Sequence, residues 1–332
     1  MRGLTKRSEA SGDVGLVDWP EPPVTPGHVI LKVAAAGVCG TDLHIFKNEY
    51  KVTPPVIMGH EVCGTVVETG SGVDSSLMGK RFVAETFYST CGVCRHCRNG
   101  RPNLCVERRS IGSHVNGAMT SLVEVPVGNL HAAPKDLSDA EASLAEPVAC
   151  VTNSLFGTHG YVEPGLRTLV VGPGAIGIIA AQVAVIQGAE VTLRGSERDQ
   201  ARLKLATSLG FETSTVGDKL PEDSFDTVIE CSGNPMGYAD ALRFTSRAGH
   251  LVQMGLSGKT SDLPTDLICY KELSITSGFA STPRSWRRAM ALLNGGKLRL
   301  EPLITDFIPL DHWKIAFDRS FTADGVKFVL HP

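Results

Sequence analysis

The sequence predicts an α/β protein in two parts, a β-rich domain and a doubly wound parallel sheet, and three observations carry that prediction. Residues 1–150 hold short β-branched runs separated by Gly, Pro and Asp, with no long helix between them. From Arg167 the pattern changes to apolar strands alternating with helical segments, the alternation a parallel sheet requires. At that change stands Gly172-Pro173-Gly174-Ala175-Ile176-Gly177, a glycine pattern lying between a strand and a helix. A chain of 332 residues, 42% of them hydrophobic, can bury two cores of ordinary size. We therefore assign 1–150 to the first domain, 151–281 to the second, and 282–332 to a return segment that completes the first.

Composition removes several classes of function. The formal net charge is only −3 and no basic run stands out, so the electrostatic footprint of a nucleic-acid binder is absent. Met1 to Gly12 lacks the apolar core of a secretory signal, and the longest apolar runs fall well short of a membrane span. The expected location is the cytoplasm. In a reducing compartment the nine cysteines favour metal binding over a disulfide framework, and four of them fall between Cys91 and Cys105.

In chain order, Val29–Val33, Thr65–Glu68 and Leu122–Val125 read as strands, and the proline-rich stretch from Trp19 to Gly27 as extended connection. After the first strand comes Cys39-Gly40-Thr41-Asp42-Leu43-His44. Its spacing suits a relay in which the Thr41 hydroxyl, a cofactor ribose and the His44 imidazole pass a proton outward; a turn with a satisfied Thr and a surface His is the alternative. Next stands Gly59-His60-Glu61-Val62-Cys63-Gly64. Cys39, His60 and a carboxylate are ligand types that zinc accepts, and a catalytic zinc site must leave one coordination position open.

Gly59-His60-Glu61 followed by Gly64, Gly70 and Val73 reproduces the signature of the zinc-containing medium-chain dehydrogenases. The chain resembles that family from about Val14 to Val329, most closely its polyol (sorbitol) and threonine dehydrogenase branch. The resemblance implies a GroES-like β-rich catalytic domain joined to a doubly wound Rossmann domain inserted at about 150–281, with the active site in the cleft between them. It also implies a catalytic zinc held by Cys39, His60 and Glu146, with Glu61 ligating or supporting the metal. Glu146 enters through its Glu146-Pro147 pair, which resembles the polyol enzymes rather than the ordinary alcohol dehydrogenases. Cys150, one turn later on the same helix face, competes for that role or is a small core residue.

Cys91, Cys94, Cys97 and Cys105 form a different kind of site. Four thiolates saturate tetrahedral zinc and leave no room for substrate, so the role expected is to pin a loop, with His96 on the surface beside it. The resemblance covers all four positions.

In the second domain Thr168–Val171 reads as a buried strand. The helix after it carries apolar residues at Ile176, Ile179, Ala180, Val183 and Ile186. Gly172, Gly174 and Gly177, with Ala175 and Ile176 between them, suit the tight turn, the close approach of a pyrophosphate and helix packing of a dinucleotide site. The next strand, Glu190–Arg194, ends at Gly195 where an NAD enzyme carries an acid. Gly195, Ser196 and Arg198 offer a hydroxyl and a guanidinium to a 2′-phosphate instead, so NADP is favoured over NAD. Ser196 with Asp199 also reads as a helix capping box, and Glu197 as a replacement acid. Strands at Phe225–Glu230, His250–Gly255 and Glu272–Thr276 bring Cys231, Ser232, Met254, Gly255, Ser277 and Gly278 toward the nicotinamide side. A helix over Ser285–Leu293 and closing strands near 303–305 and 327–330 return the chain to the first domain.

The activity these readings imply is hydride transfer between a secondary alcohol, polyol or sugar-like, and NAD(P), giving a ketone. Two zinc ions per chain are expected, with Phe46, Phe87 and Tyr88 as pocket walls or core residues. A threonine or amino-alcohol dehydrogenase is the alternative within enzymes, and a non-catalytic NADPH-binding sensor or structural protein the alternative outside them. By resemblance the assembly is a homodimer or homotetramer; neither nucleic acid nor membrane is an expected partner.

Overall fold

The structure, a computed structural model, describes residues 1–157, 162–258 and 260–332. The chain divides into two compact units. The first comprises Met1–Glu146, Leu303–Thr322 and Lys327–Pro332, and the second Pro147–Pro302 with Ala323–Val326.

The first unit is built of strands, as its β-branched runs require. Its main sheet has seven strands, with His28–Gly37 paired antiparallel to Glu61–Thr69, to Leu122–Pro126 and to Lys327–His331. The strand expected at Thr65–Glu68 begins at Glu61, so the sheet carries that residue directly. Close backbone packing explains the glycine that follows, since a Cβ on Gly64 would lie 2.6 Å from the Lys32 carbonyl oxygen. One core, including Leu31, Val62, Val66, Val123, Phe317 and Phe328, fills this unit.

The second unit holds a six-stranded parallel sheet. In space the strands run Glu212–Thr215, Glu190–Gly195, Arg167–Val171, Phe225–Glu230, Thr245–Gln253 and Ser274–Ser277, the order 3-2-1-4-5-6 of a dinucleotide-binding sheet. The strand expected from His250 starts at Thr245 instead. A register shift opposite Phe225–Thr227 and a φ of +56° at Ala248 mark its irregular first half. The helix Ala175–Ile186 also departs from expectation: it is buried nearly all round instead of along one stripe, while Ile176 and Ile186 are only half-buried. It packs on the sheet on one side, and on another the Gln182 side-chain amide exchanges two hydrogen bonds with the Arg299 backbone, at 3.2 and 2.7 Å. The return helix spans Pro283–Asn294, capped by Thr282. Among the described residues, no helix is long and apolar enough to cross a membrane.

Candidate active site

Cys39 caps the helix Gly40–Phe46 with an extended backbone, and its amide donates to Asp42 Oδ2 at 2.9 Å. His60 follows Gly59, whose φ of +91° turns the chain into the strand beginning at Glu61. The two local turns bring the ligand atoms of Cys39, His60 and Glu61 within 4.8 Å of one another, His60 and Glu61 buried. That separation suits side chains gathered around one small cation.

Charge in this group is arranged by residues that sequence reasoning passed over. Asp42 is wholly buried, its Oδ1 has no hydrogen-bond partner among the described residues, and that atom stands 4.0 Å from His60 Nδ1. Burial disfavours a charged imidazole, but the charge and hydrogen bond of Cys39, then Asp42 and Glu146, hold the His60 pKa well above its ordinary value. Burial itself pushes the Asp42 carboxyl upward, so the acidic groups gathered here are ones that a divalent cation would help to ionise. Lys327, also buried, donates to both Glu61 oxygens at 2.8 Å and to the Val38 carbonyl at 3.0 Å. Burial lowers its pKa, and Glu61 with Cys39 and Glu146 more than restores it, so the ammonium is favoured. Gly37 makes room for this pair, since a Cβ there would fall 1.9 Å from Glu61 Oε2. Asp42 was legible as a carboxylate three residues after the capping Cys39; Lys327, 266 positions from Glu61, left no local signal.

Glu146 lies in the first turn of the helix Ala145–Phe156, 5% exposed, and accepts a hydrogen bond from Thr86 Oγ1 at 2.8 Å. It is outside the 4.8 Å group, but its charge acts on His60. Cys150, one turn along the helix, is half-buried and also outside that group. Thr41 Oγ1 stands 3.7 Å from Cys39 Sγ, and His44 Nδ1 pairs with Glu49 Oε2 at 2.8 Å. Phe46, half-buried, packs against the core, with Phe317 and Phe321 at 6.1 and 5.4 Å between ring centroids. Tyr88 stacks near His28 and donates to Glu124, while Phe87 is half-buried on a short strand.

The second group is Cys91, Cys94, Cys97 and Cys105, with all four sulfurs within 4.8 Å of one another. Backbone amides point at them: Cys94 N at 3.3 Å from Cys91 Sγ, Cys97 N at 3.5 Å from Cys94 Sγ, and Cys91 N at 3.5 Å from Cys105 Sγ. The amides of Cys94 and Val93 draw the Cys91 thiol down to about 7, while burial pushes the Cys97 thiol up to about 11. His96 is not in the group.

In the second unit each glycine of the loop after Arg167–Val171 has its own reason. Gly172 takes φ +96°, and a Cβ there would lie 2.7 Å from the Ser232 backbone. A Cβ on Gly177 would fall 1.9 Å from the Gly172 carbonyl oxygen. Gly174 faces open space at the start of the helix, leaving its amides accessible to an anion. Ser232 and Gly233 are drawn in by Glu230, which accepts from both their amides at 2.8 and 3.4 Å, and a Cβ on Gly255 would lie 2.2 Å from Gly233 N. Cys231 Sγ lies 4.0 Å from Met254 Sδ. A Cβ on Gly278, which follows Ser277, would lie 2.4 Å from Ser154 Oγ. At the end of Glu190–Gly195, Ser196 donates its amide and hydroxyl to Asp199 Oδ2 at 3.0 and 2.7 Å. The capping box is thus formed, and the Ser196 proton is engaged by it. Arg198 is exposed, and Arg202, bonded to Asp199 Oδ1 at 3.3 Å, feels its charge.

Comparison with known proteins follows the same division. The family described as "Alcohol dehydrogenase GroES-like domain" matches residues 25–135, and "Zinc-binding dehydrogenase" matches 175–295. A D-arabitol-phosphate dehydrogenase of Enterococcus avium is 32% identical over 99% of this chain and 97% of its own length. A sorbitol dehydrogenase of Halalkalibacterium halodurans is 32% identical over 100% of this chain and 99% of its own. An L-threonine 3-dehydrogenase of Xanthomonas campestris pv. campestris is 31% identical over 99% of both. Among solved structures, one from Sinorhizobium meliloti 1021 bound to NADP superposes with TM-score 0.88 at 29% identity, covering 100% of this chain and 99% of that one. An alcohol dehydrogenase of E. coli CFT073 complexed with NADH gives TM-score 0.87 at 25% identity, with the same coverage.

Proposed function

Because this chain belongs to the zinc-binding dehydrogenase family with a GroES-like domain, we propose that it oxidises the secondary alcohol of a polyol or sugar-like substrate to a ketone. The observation that carries the reading is the convergence of Cys39, His60 and Glu61 around one small volume in a negatively charged, buried setting. When bound, zinc would supply a Lewis acid to the alcohol oxygen, and the nicotinamide a hydride acceptor. Cys39, His60 and Glu146 are the residues that would hold the metal, with one position open for substrate. Asp42 orients the His60 ring from behind, as carboxylates do for ligating imidazoles. Glu61, tied on both oxygens to Lys327, supports the metal from a fixed position. The Thr41 hydroxyl would relay the alcohol proton, accepting it as it gives up its own, and His44 would receive it by way of the cofactor ribose and pass it to solvent. Glu49 fixes the His44 tautomer by accepting from Nδ1, which leaves Nε2 free to take the proton.

Cys91, Cys94, Cys97 and Cys105 would hold the second, structural zinc. The fit for NADP rather than NAD rests on the end of the second strand. A Cβ on Gly195 would meet Pro173 and Asp199 at 3.0 Å, which leaves little room for an acid to bind ribose hydroxyls, and Arg198 and Arg202 supply positive charge beside it. Gly172, Gly174, Ala175, Ile176 and Gly177 receive the pyrophosphate; Cys231, Ser232, Met254, Gly255, Ser277 and Gly278 belong to the nicotinamide side. We place the protein in the cytoplasm, with its cysteines reduced, as a homodimer or homotetramer.

Nicotinamide reduction tests this reading, with NAD and NADP at matched concentrations against polyols, simple secondary alcohols and L-threonine. Polyol turnover with NADP is the expected result. Turnover of threonine alone would assign the chain to the amino-alcohol branch, and bound cofactor without catalytic zinc or turnover would favour a sensor. Glu146→Ala should lose one zinc per chain by elemental analysis together with activity; wild-type turnover in that variant would remove Glu146 from the ligand set.

A further inference from the structure

Thr86 has a hydroxyl whose use the chemistry above leaves open. It donates to Glu146 Oε1 at 2.8 Å, and both residues are buried. A charge-assisted hydrogen bond screened from water is a strong one, so it holds the acceptor in one orientation.

Sheet register puts Thr86 at the metal group. Arg81–Ala84 runs antiparallel to Glu61–Thr69, with Cys63 opposite Val83, Gly64 opposite Phe82 and Thr65 opposite Arg81. The end at which one strand begins, at Glu61 directly after His60, is therefore the end at which the other finishes, at Ala84. Glu85 and Thr86 leave the sheet beside the residues that supply the imidazole and the first carboxylate. A second tie runs through the backbone. Ile111 N donates to Thr86 O at 3.0 Å, and a Cβ on the next residue, Gly112, would lie 2.6 Å from the carbonyl oxygen of Gly59, which precedes His60. The charge of Glu146, in turn, is felt at both His60 and Lys327.

The backbone that carries the hydroxyl is pinned on both sides. Glu85 N donates to Asn129 O at 3.0 Å and Asn129 Nδ2 donates to Phe87 O, so one buried asparagine clamps the residues flanking Thr86. Glu85 is fixed again at its side chain, where Oε1 lies 2.9 Å from His131 Nε2. A β-branched side chain on a clamped backbone has few rotamers, so the Thr86 hydroxyl is aimed in advance. Glu146 has no such stiffness of its own, since several rotatable bonds separate its carboxylate from the helix.

We infer that Thr86 is a positioning residue for the metal: by donating to Oε1 it fixes the Glu146 carboxylate, so that the ion meets a ligand already ordered. This inference rests on the zinc dehydrogenase reading with Glu146 as a ligand, and adds to it the residue that orients that ligand.

The test reads zinc affinity instead of turnover. The zinc-loaded full chain is titrated with a chelator and then with added zinc, and metal content is followed by elemental analysis. Thr86→Val, close to threonine in shape, should weaken one zinc per chain by about tenfold to a hundredfold, the ordinary effect of removing the partner of a metal ligand. The other zinc should be unaffected, and Thr86→Ser, which keeps the hydroxyl, should recover most of the loss. Thr86→Ala gives the same comparison if the valine variant does not fold. In a Glu146→Ala background Thr86→Val should change nothing further, because the hydroxyl acts through that carboxylate. Wild-type zinc affinity in Thr86→Val, beside a weakened Glu146→Ala, would overturn the positioning role and leave the ligand assignment standing. A further loss in the Glu146→Ala background would overturn it too, since Thr86 would then act by another route. Wild-type affinity in Glu146→Ala itself would remove Glu146 from the ligand set and the role of Thr86 with it.

Discussion

Lys327 shows how far a single residue can set the character of this site. Its ammonium is 4% exposed and bonded to a carboxylate that is 0% exposed, so neither charge has water to fall back on. Removing one partner of such a pair leaves the other charge buried and uncompensated, whereas removing both can be nearly neutral. Lys327→Met should therefore cost about 3–5 kcal/mol of stability, read from urea unfolding of the zinc-free protein. The double variant Glu61→Gln with Lys327→Met should recover most of that loss. Equal stability of wild type and Lys327→Met would show that the pair does not carry its charges in the folded state. The sequence hides this partnership because a lysine near the end of the chain has nothing in its neighbourhood to mark it. His60 and Cys39, by contrast, announce themselves through the glycines and polar residues beside them.

Two elements owe their shape to local rules. The lobe Cys91–Cys105 is held by amide-to-sulfur hydrogen bonds between neighbouring residues, so its spacing alone made it legible. Cys97→Ser should lower zinc content by one per chain and lower Tm. Unchanged zinc and Tm would remove the structural role. The strand–loop–helix around Gly172–Gly177 was equally readable, because the steric demands on Gly172 and Gly177 arise within a few residues. Less legible was the end of the neighbouring strand. Ser196, read as both phosphate ligand and helix cap, has its hydroxyl proton committed to Asp199, so in the proposed NADP reading the 2′-phosphate would fall to arginine. Loss of a charge-assisted contact costs about 1.5–3 kcal/mol. Arg198→Ala should accordingly raise KM for NADP by roughly tenfold to a hundredfold, with little change for NAD. A proportional loss for both cofactors would point to a shared pyrophosphate role.

At the scale of the whole molecule, the sheet of the second unit ends in the strand Ser274–Ser277, exposed along most of its length, with Ile275 36% exposed and Tyr270 72% exposed just before it. An uncovered edge invites pairing with another chain, and a second copy is the proposed occupant. Light scattering should find a dimer or tetramer, and Ile275→Lys should shift it toward smaller species; a monomeric wild type would refute the assembly. By itself the sequence determined the fold class, the family, the cysteine lobe and the glycine loop, since each rests on periodicity or on side chains close together in the chain. Only the tertiary structure decided which charges meet. Lys327 on Glu61 and Thr86 on Glu146 are pairings between segments far apart in sequence, brought together by sheet register and loop packing. Buried electrostatics depends on distance in space, and a linear pattern carries no record of it.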